Sequence, residues 1–518
     1  MRRLPFLLAT CAAASVLAAQ APVVDSIAIE TVDIFGAAEA RANVLFGIAN
    51  ALHVTTRTGV IRRELLFAAG APYDSAAVAE TARNLRRLGI FRDVTIDTLR
   101  VDGRLVTRVR TADGWSTSVE LGARSTGDQF TWSVGLFESN LLGTGTRAGV
   151  AYRQETDRTA WRASGRIRRL GASRVALEGF YDALSDGHEG AAVVGVPFRA
   201  YQDPAAVTVE GHAADRRVLQ YRDGVLLDSW RRRQELLRLT MARAVRRSNT
   251  GYLRVGLAAQ LRQEALVLRP DSATPAPATP DSVTAAAGFV ADWLRARYRV
   301  VRHFNGFGRE EDLDLSTGVS LGVWVAPGGL GYARTGVGPS LGLRTAVPLG
   351  AHFLKFQVDA GALFTGDGVD SAFVLGSATL GLRPLARHSI AVFVQAGAQH
   401  DPRPGREFDL GHARGPRAFQ AHSFTGTRMV WGTVEHRWFL ADDLLHLFGA
   451  GLAAFADFGG AWYPDQAPRT GGDVGLGLRL GPSRASGLNV GRFDVAWRFG
   501  DGVGDDRWVF SFGRAFVF

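Results

Sequence analysis

From Trp115 to its C-terminus the chain keeps a period of two, and that restricts its folds more than any other feature. Trp115, Thr117, Val119 and Leu121 alternate with Ser116, Ser118, Glu120 and Gly122. Phe130, Trp132, Val134 and Leu136 alternate with Thr131, Ser133 and Gly135. Leu253, Val255, Leu257, Ala259 and Leu261 alternate with Arg254, Gly256, Ala258, Gln260 and Arg262. Val474, Leu476, Leu478 and Leu480 alternate with Asp473, Gly475, Gly477 and Arg479, and Phe493, Val495, Trp497 and Phe499 with Arg492, Asp494, Ala496 and Arg498. A strand turns successive side chains to opposite faces, so each segment is a strand with one apolar face and one small or charged face. In a soluble sandwich the apolar faces would form the core, and the pattern alone does not separate that from a membrane barrel.

Scale and the last strand separate them. About 400 residues of hairpins without a helical segment fit one closed antiparallel barrel of roughly sixteen strands. In the terminal segment Trp508, Phe510, Phe512, Phe516 and Phe518 share one parity, and Val509, Ser511, Gly513, Ala515 and Val517 the other. Such an aromatic strip at a soluble terminus is an aggregation hazard; on a barrel it meets lipid. The expected fold class is therefore mostly β, a transmembrane antiparallel barrel over residues 113–518.

The N-terminus supports export. Residues 1–21 read as a signal peptide: Arg2 and Arg3, an apolar stretch from Leu4 to Ala19, then small residues. The single cysteine, Cys11, lies within it, so the mature chain is expected to have no disulfide and no thiol chemistry. No later apolar run is long enough for a transmembrane helix. The net charge of +10 comes almost wholly from arginine, since Lys355 is the only lysine. These arginines recur inside the alternating segments instead of clustering in a tail, which suits a charged barrel lumen and argues against a nucleic-acid partner. Hydrophobic residues make up 46%, so most of the chain is not disordered. The Pro- and Ala-rich stretch 270–286 reads as a disordered outward-facing loop.

Residues 22–112 have a different texture. Residues 24–31 read as a strand and 38–51 as helical. The clearest helix is 75–88, with Ser75 as N-cap, Val78, Ala82, Leu85 and Leu88 at helical spacing, and Gly89 ending it. Residues 94–99 and 105–109 are strands joined by a turn at Asp102-Gly103. The phrases Glu64-Leu65-Leu66-Phe67, Gly70, Tyr73-Asp74, Asn84-Leu85 and Leu88-Gly89-Ile90-Phe91 resemble a POTRA domain, the periplasmic module of the BamA/TamA-type outer-membrane assembly superfamily. Residues 33–56 are longer than that family usually has here.

Three further stretches resemble the same superfamily. Residues 411–420 with Gly426-Thr427-Arg428 resemble its long sixth loop, where Pro416-Arg417-Ala418-Phe419 stands for a Val/Ile-Arg-Gly-Phe/Tyr hallmark, followed by Gln420; Ala418 replaces the usual Gly. The resemblance implies that this loop folds into the lumen and that Arg417 meets Glu435, in Gly432-Thr433-Val434-Glu435-His436-Arg437, and Asp457, in Phe455-Ala456-Asp457-Phe458-Gly459. A buried arginine needs such partners. Asn140-Leu141-Leu142-Gly143-Thr144-Gly145 and residues 474–499 resemble the first hairpin and the penultimate strands. Phe512, Phe516 and Phe518 resemble the terminal signal of outer-membrane barrels.

Gly318-Val319-Ser320-Leu321-Gly322 and Gly338-Pro339-Ser340-Leu341-Gly342 spell Gly-x-Ser-x-Gly, but a nucleophile elbow needs a following helix and both lie in alternating segments. His436, His446, Asp442 and Asp443 lack metal-ligand spacing. No catalytic, metal or cofactor site is expected. The resemblance implies a bacterial outer-membrane protein with a periplasmic domain that inserts or translocates unfolded polypeptide clients, with lipid and periplasmic accessory proteins as further partners. A client strand would add to the edge of the POTRA-like sheet and then enter a seam between first and last barrel strands. A dedicated polypeptide or lipid secretion pore and a passive outer-membrane channel remain the alternatives.

Overall fold

A computed structural model describes residues 22–126, 129–268, 277–411, 414–485, 490–501, 503, 506–515 and 518. The expected signal peptide and Phe516 lie outside them.

The N-terminal region is a small α+β unit. Strand β1 (Ser26–Val32) is followed by helices α1 (Ala37–Ala42), α2 (Val44–Leu52), α3 (Thr58–Arg62) and α4 (Ser75–Arg87), then strands β2 (Phe91–Val101) and β3 (Arg104–Asp113). The sheet order is β1-β3-β2, with β1 parallel to β3 and β2 antiparallel to it. The expected helix 38–51 is broken at Asn43, whose side chain accepts from the Leu45 amide and starts α2 afresh. Helix α4 is capped by Asp74, not Ser75; its carboxylate accepts from the Ala76 and Ala77 amides at 2.9 and 3.2 Å. The buried face of α4 carries Ala77, Thr81, Asn84 and Leu85, at helical spacing. Leu85 joins Ile61, Ile90, Phe91, Val94 and Val109 in the core. Asp102 and Gly103 both take positive φ, as a tight hairpin turn requires.

The rest is a closed antiparallel barrel of twenty strands, not sixteen. Periodicity undercounts them because many turns are only two residues long, as at 223–224, 249–250 and 350–351. The stretch read as a disordered loop is also corrected: Pro277–Arg295 is a strand paired with Gly251–Leu268. Its alanines impose no polar demand, and the neighbouring strand satisfies their backbone, so composition misleads there. Residues 270–276 of that stretch lie outside the described set.

Val119, Leu121, Phe130, Leu136, Trp161, Leu257, Phe289, Leu321, Leu476 and Trp508 all stand exposed on the outer wall. Water does not tolerate an apolar surface this extensive, whereas hydrocarbon does. No described helix is long and apolar enough to cross a membrane. The inward parity is polar, and the lumen is filled from both ends. From the rim beside the N-terminal unit (the near rim) come residues 296–316, with a short hairpin of Tyr298–Val301 and Glu311–Asp314. From the far rim come residues 401–427, with a hairpin of Phe408–Leu410 and Phe424–Gly426.

Candidate functional site

The far-rim loop delivers Arg417 into the lumen, where four neighbouring inward-facing strand surfaces meet it. The residues of the cluster share the inward parity of their strands: Thr433, Glu435 and Arg437 on Arg428–Leu444, Phe455 and Asp457 on Phe448–Trp462, Asp473 and Arg479 on Gly471–Pro482, Arg492 and Asp494 on Gly491–Gly500. Arg417 is 2% exposed. Its Nε donates to Asp457 Oδ2 at 2.6 Å and its Nη2 to Asp457 Oδ1 at 3.1 Å, a bidentate pair. Its Nη1 reaches Glu435 at 3.0 Å and Asp494 at 3.3 Å, and its Nη2 donates to Thr433 Oγ1 at 3.2 Å. The guanidinium lies 3.7 Å from the Phe455 ring centre.

The carboxylates are shared. Glu435 also accepts from Arg437 Nε at 2.7 Å and pairs with Arg479 at 3.2 Å. Asp494 accepts from Arg479 at 2.6 Å and Arg492 at 3.0 Å. A desolvated charge cluster is tolerable only when opposite charges interleave in this way. Sequence resemblance points to Glu435 and Asp457 but misses the other members of the cluster. Their signal is present as charged residues at the inward parity of otherwise apolar strands, but the register that brings them together is not visible in the sequence.

The loop backbone fits too. Ala418, where the resembling motif has Gly, is fully buried; its amide donates to Asp473 at 3.0 Å and its carbonyl accepts from Arg498 at 3.4 Å. Ala418 does not take a positive φ; Gly415, at φ 98°, makes the turn instead. Phe419 packs on Phe424, ring centres 5.1 Å apart, and over Gly471, where a Cβ would collide with the Phe419 ring. Gln420 follows at the lumen edge and accepts through its carbonyl from Ser423. Nearby, His422 bridges Asp409 at 2.5 Å and Asp157 at 3.0 Å and stacks on Tyr221 at 3.7 Å. Burial works against its charge, but the two carboxylates prevail and raise its pKa to about 9.

The first and last barrel strands close the wall weakly. Among the described residues, Trp508–Arg514 pairs with Thr117–Thr126 at three positions, Phe510↔Ser125, Ser511↔Arg124 and Phe512↔Ala123. The next pairs on either side hold seven and ten positions. An Arg514–Glu120 ion pair adds to the join. Trp508 and Phe510 face outward, as parity requires, but the strand ends at Arg514. Phe518 turns into the lumen: its amide donates to Asn305 at 2.9 Å, and Arg437 stands over its ring at 5.0 Å. The near-rim loop, the C-terminus and the Arg417 cluster are thus in mutual contact, because Arg437 also donates to the Phe304 carbonyl.

The N-terminal unit is docked on the near rim. Arg86 pairs with Asp312 at 2.6 and 2.7 Å, and Glu80 accepts from the Tyr201 amide at 2.8 Å. Asn140 closes its own turn on the Gly145 amide at 2.8 Å and donates to Thr56 at 2.8 Å. Gly143, at φ 68°, has no room for a Cβ against the Thr55 carbonyl. Both Gly-x-Ser-x-Gly phrases lie within strands, Thr317–Ala326 and Gly336–Leu349, and Ser320 donates to Asp292. Asp442 holds His303 and Arg387 at the near rim, and Asp443 holds His446.

The fold and site define a plugged membrane barrel with an N-terminal α+β unit. No protein-family model matches the chain, and no curated protein does. Among solved structures it is similar to CdiB from Escherichia coli, at 12% identity and TM-score 0.47, over 97% of this chain and 92% of that one. It is also similar to BamA from Haemophilus ducreyi lacking POTRA domains 1–3, at 12% identity and TM-score 0.39, over 94% and 85%. The outer membrane protein opdK from Pseudomonas aeruginosa matches at 12% identity and TM-score 0.34, over 76% and 94%. Likeness this distant says nothing about activity, which has to be argued from this chain's own residues.

Proposed function

We propose that this chain is an outer-membrane assembly or translocation factor of the BamA/TamA type, which passes polypeptide clients through the join between its first and last strands. The observation that carries the reading is that join, three positions long among the described residues, between pairs of seven and ten. At ~0.5–1.5 kcal/mol net per hydrogen bond, a join of that length contributes on the order of 2–5 kcal/mol, small enough for a pairing client strand to replace. The N-terminal unit, on the periplasmic side, would deliver the client. Its sheet has β1 and β2 at its edges, and the last residues of β2, Leu99 to Val101, are exposed, where an extended segment can add a strand. The driving force would be client folding in the membrane.

A passive channel fits less well, since both lumen loops are held by buried polar networks. A dedicated secretion pore would use the same loops as gates. The test is reconstitution of the full chain into phospholipid vesicles with a urea-unfolded small barrel as client. The proposal expects folding of that client to accelerate, and expects a disulfide across Ala123 and Phe512 to abolish the acceleration. Equal folding rates with and without the chain refute it.

A further inference from the structure

Helix α2 inverts the usual pattern of a surface helix. On a water-soluble unit a helix buries its apolar stripe and shows water a polar one. Here one side is fixed to the protein: Phe46 stacks on Phe35 at 4.1 Å, and Asn50 bonds the Phe35 backbone in both directions at 3.1 and 2.8 Å. The other side presents Val44, Leu45, Ile48 and Leu52, with Leu45 71% and Leu52 72% exposed. These positions recur at spacings that share a helix face, and the helix, Val-Leu-Phe-Gly-Ile-Ala-Asn-Ala-Leu, contains no charge. Single exposed apolar residues are ordinary; a continuous stripe is not.

The position of α1 and α2 supplies the partner. Together with the segment 53–57 that follows them, they sit across the foot of the seam. On the last-strand side, Arg484, in the turn after Gly471–Pro482, pairs with Glu39 at 3.0 Å and stands over Phe35. Phe46 meets His446, in the turn before Phe448–Trp462, edge-on at 6.4 Å. On the first-strand side, Asn140 donates to Thr56, and the Arg57 amide donates to the Gly143 carbonyl at 3.0 Å. Those same turns carry exposed Leu142 and Leu445, which continue the apolar outer wall of the barrel down to the helix. Arg41 and Arg57, both exposed, flank the stripe.

We propose that α2 lies in the bilayer interface at the foot of the seam, its Val44, Leu45, Ile48 and Leu52 face against acyl chains and Arg41 and Arg57 at anionic phospholipid headgroups. Such a helix follows the interfacial pattern of an apolar face with basic residues at its edge. It would anchor the N-terminal unit to lipid where the first and last strands part. The inference rests on the membrane-barrel reading and is independent of what the client is.

The test uses the full chain in a Cys11→Ser background, in vesicles of phosphatidylethanolamine and phosphatidylglycerol. Leu45→Cys, Leu257→Cys on the outer wall and Asp102→Cys on the distal β2–β3 turn each carry a bimane label, and brominated lipids are the quencher. The expected result is a loss of fluorescence at Leu45 like that at Leu257, with Asp102 unaffected. Leu45 behaving like Asp102 while Leu257 is quenched overturns the proposal and leaves the barrel reading standing. An unquenched Leu257 overturns both. A blue-shifted but unquenched Leu45 means a protein surface covers the helix, a second copy included, and also overturns the proposal. Omitting phosphatidylglycerol should weaken quenching at Leu45 alone; equal quenching removes the headgroup contact.

Discussion

Replacing Arg417 with Ala tests how the lumen loop is held. The carboxylates around it do not suffer equally. Glu435 keeps Arg437 and Arg479, and Asp494 keeps Arg479 and Arg492. Asp457 loses its bidentate partner, and among the described residues no other basic side chain pairs with it. Removing one member of a buried pair costs about 3–5 kcal/mol, chiefly for the charge left behind. At ~1.4 kcal/mol per tenfold, the population with the loop released rises by about two to three and a half orders of magnitude. Phe419, fully buried beside Arg417, is a chymotrypsin site that only the released loop exposes. Cleavage after Phe419 in vesicles should therefore accelerate strongly in Arg417→Ala. Adding Asp457→Ala removes the orphaned charge and should restore much of the protection. Wild-type cleavage rates in Arg417→Ala, or costs that simply add in the double variant, refute this reasoning.

Separate parts of the molecule carry their own consequences. Ala123→Cys with Phe512→Cys places thiols at directly paired positions, within the usual reach of a disulfide; non-reducing electrophoresis should show the cross-link, with the barrel still folded. The raised pKa of His422 means that its bridge to Asp157 and Asp409 is fully present below about 6.5 and is lost as pH rises through about 9. Chymotryptic release of the loop should rise over that window, and His422→Gln should flatten the profile. Leu476→Arg, on the outer wall, should destabilise the barrel by about 2–4 kcal/mol in urea titrations in vesicles, whereas a change under about 0.5 kcal/mol would mean that position does not face lipid.

Much of this structure is written locally and some of it is not. Period two locates most of the strands, and Asp102-Gly103 marks its turn through the conformations those residues tolerate. The strand count is not local, since it depends on turns too short to leave a compositional mark. Pro277–Arg295 becomes a strand because Gly251–Leu268 offers a partner, which composition does not report. Arg417, Glu435 and Asp457 are linked by a resemblance, whereas Asp494, Arg479 and Arg492 need the register of three further strand pairs. The inward turn of Phe518 onto Asn305 depends on a lumen that exists only after closure. The apolar face of α2 is readable from its residues, but its place at the seam is not.

Passage of clients through the seam between the first and last strands is tested most directly by outer-membrane proteomics. The cells are depleted of this protein and complemented either with wild type or with the Ala123→Cys, Phe512→Cys variant. If clients use the seam, other barrels or exported polypeptides fall on depletion, return with wild type, and return with the cysteine variant only under reductant. A profile unchanged by depletion, or fully restored by the cross-linked barrel, contradicts it.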